Sequence, residues 1–364
     1  MKNITKTLLS IFASLVISTS AFAGEVSVTG TAAFSYSIAS SDSTSGSNSS
    51  GKAIGIANEV AFNASGELDN GWAWKWQAEL DSGGEGTSGA GIDDAQVTIA
   101  TDMGTIGIYT SEGSLASAKF GWDVTAHGAP SDNGMGGSMV HGSNLGSYNS
   151  VQYHMPAGLL PFGITAKAGK SIGDTSINSK NAAGAQIDLS ITNGVSGTDN
   201  AFTADSSSEY TVSATPIEGL TLTADYFEAG STGSATAQQP DAGHWSVKYV
   251  ASGMPVSVGY GKGHVATAVT STSLAASTFE DYETTSMAIG FAVNENLSIS
   301  YAEEESTLSY TDTTADVDLK IKSIQAAYTM GGLTIALAQD DIENTGYTAN
   351  KDEKETLVTF TMAF

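Results

Sequence analysis

The sequence predicts an all-β protein, a transmembrane antiparallel up-and-down β-barrel of 16 strands, with 18 as the alternative. Three observations carry this reading. Apolar and polar residues alternate at period 2 along most of the chain, which is strand spacing rather than helix spacing. The connections are alternately long and short, as in a meander with loops at one end and tight turns at the other. Charges of both signs fall at strand centres on the polar parity, where they need water.

Ahead of the barrel, Lys2 and Lys6 give a positive start, Leu8 to Ile17 is a short apolar run, and Ala21-Phe22-Ala23 has the small-x-small form of a cleavage site. This is a secretory signal peptide, 1–23, and the run is too short to be a membrane helix. A single domain, 24–364, follows. Its first strand alternates Val26, Val28, Gly30, Ala32, Phe34, Tyr36 and Ile38 with hydroxyl-bearing residues. Next comes a stripe of Trp72, Trp74, Trp76, Ala78 and Leu80, with Lys75, Gln77 and Glu79 on the opposite parity. Ala95-Val97-Ile99, Val151-Tyr153-Met155, Phe162 to Ala168 and Tyr210-Val212-Ala214 repeat the pattern. So do Leu220 to Tyr226, Trp245-Val247-Tyr249, Val256-Val258-Tyr260, Met287 to Val293 and Leu297-Ile299-Tyr301. Leu333-Ile335-Leu337 and Val358-Phe360-Met362-Phe364 complete the set.

Two places break the rhythm. Ala185-Ile187-Leu189-Ile191 alternates inside what is otherwise one long loop. Paired with a poor strand near 195–203 it makes 18 strands, and as loop elaboration it leaves 16, the preferred count. Between Val317-Leu319-Ile321 and Ile324-Ala326-Tyr328-Met330 the parity slips near Ser323, which predicts a β-bulge.

The short gaps carry turn residues such as Asp69-Asn70-Gly71, Asp102-Met103-Gly104, Asn294-Glu295-Asn296 and Gly331-Gly332. A barrel of this size leaves an aqueous lumen, so the polar parity is assigned inward. That face carries Lys75, Gln77, Glu79, Asp94, Gln96, Gln152, His154, Lys167, Lys248, Asp318, Lys320 and Lys322. Without the signal segment, 12 lysines face 39 acids, a net charge of −27. Arginine is absent, which argues against nucleic acid as a partner. Cysteine is absent too, so core size or backbone closure must hold the fold.

Three features stand together: the start Glu25-Val26-Ser27-Val28-Thr29-Gly30; the hairpin from Phe62 to Gly71; and Asp102 to Gly107, with Asn149-Ser150-Val151-Gln152-Tyr153 after the following loop. In this combination the chain resembles the general porins of Gram-negative bacteria. Phe364, with apolar residues at every second position before it, looks like the signal read by the outer-membrane barrel-assembly machinery. The resemblance implies a homotrimer of 16-stranded barrels in outer-membrane lipid. It also implies a constriction loop, about Glu112 to Ser147, folded into the lumen. Its acids would be Glu112, Asp123 and Asp132, facing a basic wall cluster. Lacking arginine, the chain offers Lys75, Lys167 or Lys248 for that cluster, which lysine fills as a flexible point charge. The implied function is a water-filled channel for passive diffusion of ions and small hydrophilic solutes. The net charge predicts cation preference. Rival readings are a substrate-selective channel of the same build and a secreted structural or adhesive β-protein.

Other motifs yield to blander explanations. Gly84-Glu85-Gly86-Thr87-Ser88-Gly89 matches GxGxxG without the helix that nucleotide binding requires. His127 and His141 have no standard metal spacing, and no cofactor is expected. Asp93-Asp94, Glu303-Glu304-Glu305 and Asp340-Asp341 read as a solvated rim, with Ca2+ binding as the lesser alternative. No nucleophile–base–acid set stands out, so the chain is not read as an enzyme. Trp72 is expected in the interfacial aromatic girdle, and Trp74 and Trp76 against lipid or a neighbouring subunit. Phe360 and Phe364 share that outward face.

Overall fold

A computed structural model describes residues 24–41, 50–81, 91–110, 115, 118–134, 138–142, 144–145, 150–172, 179–180, 186–187, 204–231, 236–250, 253–266, 269–270, 280–310 and 314–364. The predicted signal segment, the Gly84–Gly89 motif, Glu112 and the 195–203 stretch lie outside the described residues.

The architecture is a closed antiparallel barrel of 16 strands. In chain order they are β1 Glu25–Ser41, β2 Gly51–Glu67, β3 Ala73–Asp81, β4 Gly91–Thr101, β5 Gly104–Thr110 and β6 Ser150–His154. Then come β7 Thr165–Ile172, β8 Ala204–Ala214, β9 Leu220–Ser231, β10 Asp241–Val250 and β11 Val256–Ala266. The last five are β12 Glu280–Ala292, β13 Leu297–Tyr310, β14 Val317–Met330, β15 Leu333–Glu343 and β16 Glu353–Ala363. Each pairs with its chain neighbour, and β1 closes on β16 through Thr31↔Ala363 to Ser41↔Glu353. At that seam Gly30 and Phe364 exchange two backbone hydrogen bonds of 3.0 Å, and Phe34 stacks on Phe360 at 4.3 Å. Closure leaves no strand edge open, which is how a sheet can sit in lipid without unpaired backbone groups.

The 16-strand count holds because Gln186–Ile187 does not join the wall. It pairs with Ser179–Lys180 in a separate two-stranded ladder. A second short ladder, Thr236–Gln238 with Val269–Thr270, also stands apart from the barrel.

The β-bulge expected at Ser323 is absent. Pairing runs unshifted through Ala302↔Ser323 and Ser323↔Asp340. The hydrophobic parity changes while the backbone does not. Leu319 and Ile321 point inward and are buried with Ile342 and Met139, whereas Ile324 and Tyr328 are exposed on the outside. Asp318, Lys320 and Lys322, assigned to the lumen from sequence, therefore stand on the outer parity. There Lys320 meets Glu305 at 3.2 Å and Lys322 meets Glu343 at 3.5 Å. The pleat also divides the acidic runs: Glu304 and Asp340 are buried on the inner face, while Glu303, Glu305 and Asp341 are on the outer one.

Candidate functional site

The segment between β5 and β6 runs inside the barrel. Its described residues bond to or pack with one face of β7 to β16, always the parity opposite the exposed apolar side chains. Only an interior loop can meet so many strands of a closed ring from the same side.

Glycine prepares the wall for it. Alternate inward positions on β11 are Gly259 and Gly261, and β12 contributes Gly290. A Cβ on Gly259 would lie 1.7 Å from the Trp122 carbonyl oxygen, and one on Gly290 would lie 2.4 Å from that of Val124. The loop backbone thus seats in a furrow that only glycine leaves open. Trp122 is fully buried over Gly261, and its indole N–H donates to the Lys119 carbonyl at 2.8 Å. Gly169 on β7 does the same for Leu115 and Leu145.

Three inward carboxylates accept loop backbone N–H groups. Leu145 donates to Glu209 at 2.6 Å, and Ala118 donates to Asp225. Ser131 donates both its N–H, at 2.8 Å, and its hydroxyl, at 2.9 Å, to Glu304. Glu304 also accepts from the Ser286 hydroxyl at 3.0 Å, and Asp225 binds His244 Nδ1 at 2.9 Å. Charged acceptors bond more strongly than neutral ones. Neutral contacts extend the seam. Ala126 N–H donates to Ser300 at 2.8 Å and His127 N–H to Gln325 at 2.7 Å, while Gln325 returns a bond to the Gly128 carbonyl at 2.9 Å.

Between these pinned points the returning limb also packs against the wall. Met139 joins Leu319, Ile321 and Ile342, and Val140 lies against Phe227, Val265, Tyr282 and Leu308. Tyr347, from the connection between β15 and β16, touches both groups. Its hydroxyl accepts from Val140 N–H at 3.1 Å and donates to Ser306 at 2.7 Å. Burial raises the pKa of that phenol. His141 Nε2 is 2.9 Å from the Ser131 hydroxyl. Ser131 has already given its one hydroxyl proton to Glu304, so the imidazole is the donor there. Burial, with Lys119 and His244 nearby, holds the His141 pKa down to about 3, and burial lowers that of His127.

The wall of β1 to β6 is left polar and clear of these loop contacts. On its inner face Lys75 donates to Gln77 at 3.0 Å, and Gln96 donates to Gln77 at 2.8 Å. His154 bonds Gln152 at 2.9 Å and stacks on Tyr109 at 5.6 Å. Glu79 has inward parity opposite Ala61, Lys167 opposite His154, and Lys248 opposite Gly259. The Asp94 side chain lies outside the described residues.

The expected loop acids divide. Asp132 is exposed, whereas Asp123 turns back to cap Thr125 through its N–H at 2.8 Å and its hydroxyl at 2.6 Å. Trp72 and Trp76 are exposed on the outer face, and Trp74 is half-buried over Gly66. Sequence reading missed Glu209, Asp225, Glu304 and Tyr347. It also missed the glycines of Val256 to Gly263, whose two-residue spacing was the available sign of a close backbone neighbour.

Comparison with known proteins places these features in a common frame. A family profile described as Gram-negative porin matches residues 9–364. Comparison with curated proteins found no match. Among solved structures, OmpT of Vibrio cholerae, an outer membrane protein, superposes with a TM-score of 0.62 at 12% identity, covering 95% of this chain and 99% of that one. OmpF of Salmonella typhi, solved with daunomycin, gives 0.65 at 11% identity, covering 94% and 98%. An anion-selective porin from Comamonas acidovorans gives 0.65 at 10% identity, covering 94% and 100%.

Proposed function

The chain belongs to the Gram-negative porin family, and on that premise we propose that it is a non-enzymatic, water-filled pore for passive diffusion of ions and small hydrophilic solutes, with a preference for cations. Family and fold make it an outer-membrane channel. The observation that carries the finer reading is the asymmetry of the lumen. An inner loop is bound along the β7–β16 wall, and the β1–β6 wall opposite it is lined by Lys75, Gln77, Glu79, Gln96 and His154. Such a loop narrows the channel and leaves a wetted passage along the polar wall.

The sign of selectivity follows from charge rather than from fold, since the fold is shared with a protein described as anion-selective. Net charge is −25 and the chain has no arginine. The basic cluster available to face the loop is limited to Lys75, Lys167 and Lys248, and Glu79 stands beside Lys75 on the same wall. A homotrimer is proposed as well; one of the similar structures is described as a trimer form. Phe364 is proposed as the residue read by the barrel-assembly machinery.

Planar-bilayer recording across a salt gradient tests the reading. A reversal potential of the cation-selective sign is expected. An anion-selective sign overturns the selectivity, and an absence of conductance from folded protein overturns the pore.

A further inference from the structure

The connection between β6 and β7, Met155-Pro156-Ala157-Gly158-Leu159-Leu160-Pro161-Phe162-Gly163-Ile164, lies at the tight-turn end of the barrel yet is unlike the other turns there. Elsewhere that end carries Asp69 and Asn70, Asp102, Glu218, Ser252, Glu295, or Gly331 and Gly332. This segment has no charged residue and no polar side chain. Leu159 is 63% exposed, Leu160 43% and Phe162 65%. Ile217 of the adjacent β8–β9 turn is exposed beside it.

The segment is built, not slack. Phe162 takes φ 60 and ψ 23, a left-handed conformation that costs a non-glycine residue ~1–2 kcal/mol. It is held by Thr215 N–H donating to the Phe162 carbonyl at 2.8 Å, and Met155 N–H donates to Ala166 at 2.9 Å. Gly163, at φ +60, sits so close to Thr215 that a Cβ would fall 2.0 Å from its hydroxyl. Backbone strain kept in place by such contacts points to a role for the side chain it aims.

The outer wall above shows what that role is. Tyr153, Tyr210 and Tyr226 form an exposed outward row across β6, β8 and β9, joined through Ala168. One row higher the outward residues are Val151 on β6 and then Lys170, Ser208 and Glu228, so on β7 to β9 the apolar wall ends there. Below, β9 begins at Leu220. From Tyr226 to Leu220 the wall descends only ~14 Å, at ~3.3 Å per residue and ~45° tilt. An outer-membrane apolar band is about 25 Å tall. Leu159, Leu160, Phe162 and Ile217 lie where the missing height belongs.

We propose that this turn is not a periplasmic loop in water but an apolar foot, inserted among the acyl chains of the inner leaflet and extending the lipid-facing wall of β6–β9. The inference rests on the outer-membrane placement of the barrel. Occupancy by lipid follows from continuity with that wall and from the absence of any charge along the segment.

The chain has no cysteine, so Leu160→Cys and, as the polar-turn comparison, Asn70→Cys give single labelling sites. Each variant carries an environment-sensitive fluorophore and is reconstituted in phospholipid vesicles with or without spin-labelled acyl chains. Vesicles are first shown to conduct, so failure of the pore and failure of the foot are told apart. The Leu160 label is expected to be quenched by the spin-labelled chains and to be several-fold better protected from aqueous iodide than the Asn70 label. Equal iodide quenching at both sites overturns the proposal by placing the turn in water. Protection from iodide without quenching by the lipid label also overturns it, by showing that protein covers the turn. Leu159→Cys is read in the same way should Leu160→Cys fail to fold.

Discussion

Gly259→Ala is the sharpest perturbation of the inner loop. The added Cβ would stand 1.7 Å from the Trp122 carbonyl oxygen, and real Cβ contacts essentially never fall under 3.0 Å, so the two must part by at least about 1.3 Å. The obstacle is backbone on both sides, hence no rotamer change relieves it. The wall strand is paired on both flanks, through Lys248↔Gly259 and Gly259↔Ala288, whereas the loop has only its docking bonds. Displacement therefore falls on the loop, which moves toward the open lumen. Overpacking of this kind costs ~1–3 kcal/mol. An unhindered Gly→Ala change has the opposite sign, a gain of ~0.4–1 kcal/mol from the unfolded state. Gly332→Ala supplies that comparison, since its Cβ would meet nothing within 4 Å. The assay is single-channel conductance with denaturant unfolding of the same preparations. Gly259→Ala should lower both conductance and stability, and Gly332→Ala neither. A Gly259→Ala protein with wild-type conductance and unchanged stability would refute the furrow as the seat of the loop.

Glu304→Gln keeps the shape but puts an NH2 donor in place of one of the two oxygens that accept two donors of Ser131 and one of Ser286. Loop docking should weaken by ~1.5–3 kcal/mol, seen as increased open-channel noise at neutral pH. Tyr347→Phe strips the hydroxyl from between Val140 and Ser306, and should cost ~1–2 kcal/mol and raise the same noise without changing the sign of selectivity. His141 gives a pH dependence. Its pKa is about 3 when docked against 6.5 ordinarily, so the released loop takes up the proton first. The His141 contribution to docking should be constant above about pH 6.5 and weaken steadily as pH falls toward 3; the difference between wild type and His141→Gln across that range isolates it.

Architecture was legible because strand periodicity and the rhythm of loops and turns are local signals. The parity slip at Ser323 was visible but pointed to the wrong cause. A sequence cannot distinguish a backbone that shifts from a backbone that stays while its apolar face changes sides. In β14 the second holds, because Leu319 and Ile321 are covered from within by Met139, a residue more than 170 positions earlier. The same distance hid the site. Glu304 read as one of three solvated rim acids, yet the pleat buries it under Ser131 and leaves Glu303 and Glu305 outside. Lys320 and Lys322 read as lumen charges because a polar parity was assumed uniform along β14. Most candidate lining residues of β3 to β7 and β10, by contrast, fell on the inward parity, where no loop reverses the ordinary alternation.

The seam between β1 and β16 has a consequence for the order of assembly. Every other wall pairing joins strands consecutive along the chain, but Thr31 finds its partner at Ala363. Fifteen hairpin-like junctions can therefore zip progressively, each bringing in the next, while one face of β1 waits. Until β16 arrives, that face is a naked template able to recruit any stray strand, its own or another chain's. The final pairing is thus the slowest to find and the one whose failure leaves the most dangerous intermediate. Gly30, overlaid by the Phe364 ring and bonded to Phe364 on both sides of its peptide, is where the ring locks.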